Sequence, residues 1–164
     1  MTIADLNATD RGSFVAAVGD AFESSPWIAE AAWHYRPFAS VDTLLACMCT
    51  IVADSPLDRR IALIAAHPDL AGRMHLSATS MAEQASAGLD RLSPEEAGRF
   101  EQLNGAYRDR FGFPFVICAR EHDKGSILDA LAERARNTRK AEIDIALVEI
   151  GKIARLRLRE RISA

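Results

Sequence analysis

The chain has 164 residues, 49% of them apolar and 26% charged, an ordinary globular composition with enough material to bury one core without staples. A net charge of -3 points to neither nucleic acid nor a membrane surface as partner, and no stretch approaches the roughly 18 apolar residues of a membrane span. Cys47, Cys49 and Cys118 are an odd set without framework spacing, which implies free thiols in a reducing compartment.

In chain order the signals are almost all helical, and the expected class is all-α, as a single compact multi-helix domain. Phe14, Val15, Val18 and Phe22 share one face and predict a helix over Asp10–Glu23. Ser25-Pro26 reads as a cap followed by proline at the first helical position. The helix it opens carries Trp27 and Trp33 and must stop near Arg36-Pro37. Ser40 caps a third helix bearing Val41, Leu44, Leu45, Met48, Ile51 and Val52. Ser55-Pro56 opens a fourth with apolar positions Leu57, Ile61, Ile64 and Ala65, and Pro68 ends it at His67. After a loop from Asp69 to His75, Ser80 or a nearby hydroxyl starts a short helix that Gly88 closes. Ser93-Pro94-Glu95-Glu96 combines cap, proline and capping box, and its helix ends before Gly112. Phe111–Ala119 has strand composition without an obvious partner and reads as one buried extended segment. Helices over Ser126–Arg136 and Arg139–Arg161 complete the chain.

Three features can carry chemistry. His67 titrates near neutral pH and suits general acid–base work; its other reading is a residue that only ends a helix. Ser80, Glu83 and Gln84 fall on one helical face and together offer a hydroxyl, a carboxylate and an amide to a polar heterocycle. Ser80-x-x-Glu83 is equally a capping box. In the last helix Ile143, Leu147, Ile150 and Ala154 form an apolar stripe. Arg157, seven positions beyond Ile150, falls back on it, whereas Arg155 and Arg159 point to water. A charge in such a stripe needs an anionic ligand or an internal salt bridge. His34, His67, His75 and His122 lack a helical two-histidine spacing, and Cys47 and Cys49 face apart on a helix, so no metal site is expected. No phosphate loop or nucleophile elbow is present. The basic run Arg134, Arg136, Arg139 and Lys140 reads as a solvated helix junction.

Several motifs in order carry a resemblance over nearly the whole chain. They are Ser25-Pro26-Trp27, Arg36-Pro37-Phe38, Ala66-His67-Pro68-Asp69-Leu70-Ala71-Gly72-Arg73, Ser80-x-x-Glu83-Gln84-x-x-x-Gly88-Leu89, Leu103-Asn104-x-x-Tyr107, Phe111 to Cys118 and Glu149 to Leu158. Together they resemble the 2-oxo-4-hydroxy-4-carboxy-5-ureidoimidazoline (OHCU) decarboxylases. The resemblance implies an all-α, usually homodimeric enzyme without metal or organic cofactor, acting at the third step of urate breakdown to give (S)-allantoin and carbon dioxide. It implies that His67 is the catalytic acid–base residue, with Glu83 also catalytic. Pro68, Ser80, Gln84 and the backbone of Phe115, Val116, Ile117, Cys118 and Ala119 would contact the substrate, and Arg157 would supply an anion-binding guanidinium. Trp27, Trp33 and the N-terminal helices offer apolar surface for a dimer. The partner is then a small ureidoimidazoline carboxylate, with no nucleic acid and no membrane. The polar N-terminus, and a tail Arg161-Ile162-Ser163-Ala164 unlike the peroxisomal Ser-Lys-Leu address, lead to a cytoplasmic expectation. The alternative is a helical ligand-binding or regulatory module that kept the pocket and lost turnover.

Overall fold

The computed structural model describes residues 1–72 and 76–163. Arg73 and His75, part of the motif and of the histidine count above, lie outside the described residues. Among the described residues there are nine α-helices and no strand, beyond an isolated bridge between Thr2 and Ser163. The chain divides into two units, Met1–Ala66 with Ile150–Ala164, and His67–Glu149.

The first unit begins with α1 (Ile3–Ala8), a helix the sequence reading missed, set by a capping box between Thr2 and Asp5. Asp10 caps α2 (Arg11–Val18). The expected helix to Glu23 stops at Val18, with Gly19 as its cap; a Cβ there would lie 2.5 Å from the Val15 carbonyl oxygen, so the position needs glycine. Phe22 is still buried, as its spacing implied, but in the turn that follows. α3 (Trp27–Ala32) runs into a 3₁₀ turn, Trp33–Tyr35. α4 (Val41–Ala53) carries the expected Ser40 cap, reciprocated by Thr43, and buries Leu44, Leu45, Met48 and Val52. α5 (Leu57–Ala65) buries Leu63 and Ile64, whereas Leu57 and Ala65 are exposed.

Neither Ser25 nor Ser55 caps the helix after its proline. Pro26 and Pro56 take the cap position without a side-chain bond. The Ser55 hydroxyl instead donates to the Val52 carbonyl at 2.6 Å and closes α4. Ile150, Ile153, Ala154, Arg157 and Leu158 of α9 (Arg139–Arg161) are buried in this unit's part of the chain.

The second unit holds α6 (Ala78–Ser86), α7 (Pro94–Phe111), α8 (Lys124–Arg134) and residues 139–149 of α9. α7 has the full Ser93-Glu96 capping box predicted for it, and α8 begins two residues before Ser126 because Asp123 is its cap. Gly112, at φ +80°, ends α7 in the left-handed conformation that glycine adopts without a Cβ penalty. The extended segment is therefore shorter than Phe111–Ala119. Phe111 is the last residue of α7, and Ala119 opens a 3₁₀ turn, Ala119–Glu121.

Residues 113–118 between them are all buried. Tyr107, Phe111, Phe113 and Phe115 pack ring against ring, with centroids 4.5 to 6.2 Å apart. Under this cluster lies Glu142, 0% exposed. Its carboxylate accepts from the Tyr107 hydroxyl, from Arg134 Nε at 3.0 Å and Nη2 at 2.9 Å, and from Asn137 Nδ2 at 2.8 Å. Arg134 also donates through Nη1 to the Val116 carbonyl at 2.8 Å and lies over the Phe115 ring. It is thus not the solvated cation its basic run suggested, since the neighbouring buried carboxylate draws it in. Burial, then the bond to Glu142, pushes the Tyr107 hydroxyl well above its ordinary pKa.

Removing one partner of such a pair leaves an uncompensated buried charge, which costs about 3–5 kcal/mol. Arg134→Met should therefore lower the unfolding free energy by about that much in urea titrations. The double variant Arg134→Met/Glu142→Leu should recover much of the loss. Equal losses in both would mean that the ion pair is not what Arg134 contributes.

Candidate active site

Three segments of the second unit bear the site residues, and each is shaped by a local cause. The first follows α5. Pro68 disfavours the α region at His67, and α5 accordingly closes at Ala66. His67 is buried, at 6% exposure, and Pro68 is half-buried.

The chain beyond His67 is clamped by side chains from two helices. Gln84 Oε1 accepts the Ala71 N–H at 3.0 Å, and Gln84 Nε2 donates to the Asp69 carbonyl at 3.5 Å. Asn104 Nδ2 donates to the Leu70 carbonyl at 2.8 Å, and Arg108 pairs with the Asp69 carboxylate at 2.6 Å. Ala71 sits at φ +60°, a left-handed conformation that costs a non-glycine residue about 1–2 kcal/mol. These bonds hold it there. Gln84, expected at the substrate, thus has both ends of its amide on the loop. Sequence reasoning missed Arg108, and it met Asn104 only as part of a motif. A polar residue at helical spacing from a buried aromatic, as Asn104 is from Tyr107, was the available signal.

The second segment is α6. Its cap is Ser77, whose hydroxyl accepts the Ser80 N–H at 3.0 Å. The capping-box reading of Ser80 and Glu83 therefore fails by one turn. Ser80 is instead a buried third residue, 4% exposed, whose hydroxyl accepts from Ser77 Oγ at 2.9 Å. Glu83 is half-buried, and Gln84 is buried beside Ser80 on the same helix.

The third segment is the strip Phe115–Ala119, every residue of which is at most 5% exposed. α6 packs against the 3₁₀ turn that continues it. The Cys118 N–H donates to Glu149 Oε2 at 2.9 Å. Burial pushes the Cys118 thiol up to about 11, and the carboxylates of Glu121, Glu149 and Glu83 add to the rise. Cys118 is therefore a neutral thiol at physiological pH and no nucleophile. The same effect places the Glu83 carboxylate within electrostatic reach of the strip. The loop after His67, the Ser80–Gln84 face and the strip are all drawn together around α6.

Arg157 belongs to the first unit. It is 3% exposed, and its Nη1 donates to Glu23 Oε2 at 2.8 Å and to the Asp20 carbonyl at 3.2 Å. Of the two readings left open for it, the internal ion pair is present. Arg155 and Arg159 are exposed, as the stripe predicted. Among the described residues no three His, Cys, Asp or Glu side chains gather as a metal site would.

The sequence profile of the OHCU decarboxylase family matches residues 7–159. A 2-oxo-4-hydroxy-4-carboxy-5-ureidoimidazoline decarboxylase of Halalkalicoccus jeotgali is 44% identical over 98% of this chain and 91% of its own. The enzyme of the same name from Mus musculus is 38% identical over 100% of this chain and 94% of its own. In structure the chain resembles a crystal structure of (S)-allantoin synthase, with a TM-score of 0.83 and 32% identity over 99% of this chain. This chain spans about half of that one, 54%. The chain belongs to the OHCU decarboxylase family.

Proposed function

We propose that this chain decarboxylates OHCU to (S)-allantoin and carbon dioxide, with His67 and Glu83 as its catalytic residues and without metal or organic cofactor. The observation that carries the reading is the convergence on α6 of the loop after His67, the Ser80–Glu83–Gln84 face and the buried strip, in a chain of this family. Loss of carbon dioxide leaves an electron pair on a ring carbon, and the adjacent C=N can take it up. No external electron sink is required. The protein must supply orientation, charge stabilisation and a proton delivered to one face.

In this reading His67 moves that proton. Its burial suits the task, because water that reached the carbanion would protonate either face. Glu83 polarises or orients the ring and ureido groups beside Ser80. Pro68 and the backbone of Phe115–Ala119 form the walls. Gln84 acts chiefly by holding Asp69 and Ala71, and hence the loop that begins at His67. For Arg157, paired with Glu23 in the first unit, a role as anion-binding guanidinium is proposed on the family resemblance alone.

A homodimer in a cytoplasm completes the proposal. Three free cysteines suit a reducing compartment, and among the described residues no helix is long and apolar enough to cross a membrane. For the dimer, the first unit offers an open groove of about 800 Å³ in which Trp27, Tyr35 and Ile51 alternate with the charged Arg11, Glu30 and Arg59, with Tyr35 66% exposed. Trp33 is a poorer candidate than expected, since Arg36 covers its ring at 4.2 Å.

The chemistry is tested with substrate made fresh by urate oxidase and hydroxyisourate hydrolase, following allantoin handedness by circular dichroism. Wild type should give (S)-allantoin. His67→Asn should stay folded and lose about 10²-fold or more in rate, the usual scale for a positioned acid–base group, leaving the intermediate to decay to racemate. Glu83→Gln should be severely impaired, and the exposed Arg155→Ala nearly silent. Dialysis against a chelator should leave the rate unchanged. Racemate from wild type at the uncatalysed rate would make the binding-module alternative the better one.

Light scattering tests the assembly. Micromolar wild type should run as a dimer with an interface of at least about 1,000 Å², and Tyr35→Glu should shift it toward monomer. A monomeric wild type would refute the dimer and leave the chemistry standing.

A further inference from the structure

Among the described residues the strip has no strand partner, so its buried polar groups must be met in some other way. A side chain anchors it at each of two places. The Val116 carbonyl accepts from Arg134, which Glu142 holds. The Cys118 N–H donates to Glu149 at 2.9 Å, and the Cys118 carbonyl accepts the Glu121 N–H at 3.0 Å. Glu142 and Glu149 are seven residues apart on α9, about two turns, so both leave the same face of one helix. Ile117 lies between the anchored groups, and its own N–H and carbonyl enter no hydrogen bond among the described residues.

We infer that Glu149 is a positioning residue for decarboxylation: by holding the Cys118 N–H it fixes the direction in which the Ile117 peptide groups face the substrate. This rests on the reading above, in which Phe115–Ala119 contacts the substrate. What Glu149 adds is an acceptor of the right reach, 2.9 Å from the Cys118 N–H, carried by a long helix, a more precise support than a loop. That precision matters where the backbone is a template for a ligand. The aromatic packing of Phe113 and Phe115 already buries the strip. Glu149 sets how its next residues are turned.

The experiment compares Glu149→Asp and Glu149→Gln with wild type in the handedness assay, with thermal melting alongside. Aspartate keeps the charge and withdraws the acceptor by about 1.5 Å, one carbon–carbon bond. Glutamine keeps the reach, and its amide oxygen can accept the same N–H. Glu149→Asp should raise KM about tenfold with a smaller change in kcat, because a ground-state contact is misplaced, and the excess of (S)-allantoin should fall. Glu149→Gln should restore both toward wild type. Wild-type KM and handedness in a folded Glu149→Asp would overturn the inference, whatever its melting temperature. Equal impairment of both variants would also overturn it, since charge and not reach would then be the requirement. A wild type that makes no (S)-allantoin would instead remove the functional reading on which it rests.

Discussion

The second unit depends on a carboxylate that has no contact with water. Glu142, wholly buried, is surrounded by the Tyr107 hydroxyl, the Arg134 guanidinium and the Asn137 amide. One residue thereby joins α7, α8 and α9. Through Arg134 it also reaches the Val116 carbonyl, so the polar centre of the unit and the backbone of the proposed site are one network. An all-apolar core of the same volume would be as stable or more so. It would not present a guanidinium to a carbonyl in the middle of an extended segment.

That segment explains a puzzle in the sequence. Phe113-Pro114-Phe115-Val116-Ile117-Cys118 has strand composition, yet among the described residues there is no strand. β-branched and aromatic residues fit a half-buried pleated surface, and here the surface is supplied by α-helices. The ladder hydrogen bonds of a sheet are replaced by two side-chain anchors, Arg134 on a carbonyl and Glu149 on an N–H. Pro114, which has no N–H, leaves one donor fewer to satisfy.

Most of the architecture was legible because helix punctuation is local. Ser40, Ser93 and Gly112 do what their types imply, and the last helix runs Arg139–Arg161 as its periodicity required. The errors share a cause: a hydroxyl next to a helix boundary has more than one backbone group in reach. Ser55 bonds backward to Val52, and Ser77 takes the cap that Ser80 also offered. Asp123 likewise precedes Ser126 as the cap of α8. At the site, Pro68 made the break at His67 readable. The use of Gln84 on the loop was not readable, because its partners Asp69 and Ala71 are backbone groups 15 and 13 residues away. Such bonds leave no trace in side-chain types.

The physics that sets Arg157 apart, a charge buried on an apolar helix stripe, applies equally to Glu142 and Glu149. Arg157 stood out as a charge on an apolar stripe of the last helix, and it is indeed buried with an anionic partner, Glu23. Glu142 and Glu149 flank Ile143 and Ile150 on the same helix and are buried too. A charge beside the centre of a stripe is easily taken as its polar edge, and the decision lies in what packs opposite. Here it is Arg134 and a backbone N–H. A reaction that carries its own electron sink asks a protein mainly for orientation, and orientation is what buried charges on a long helix supply. The polar residues hidden in α9 are therefore partners in buried hydrogen bonds and ion pairs, not defects in its core.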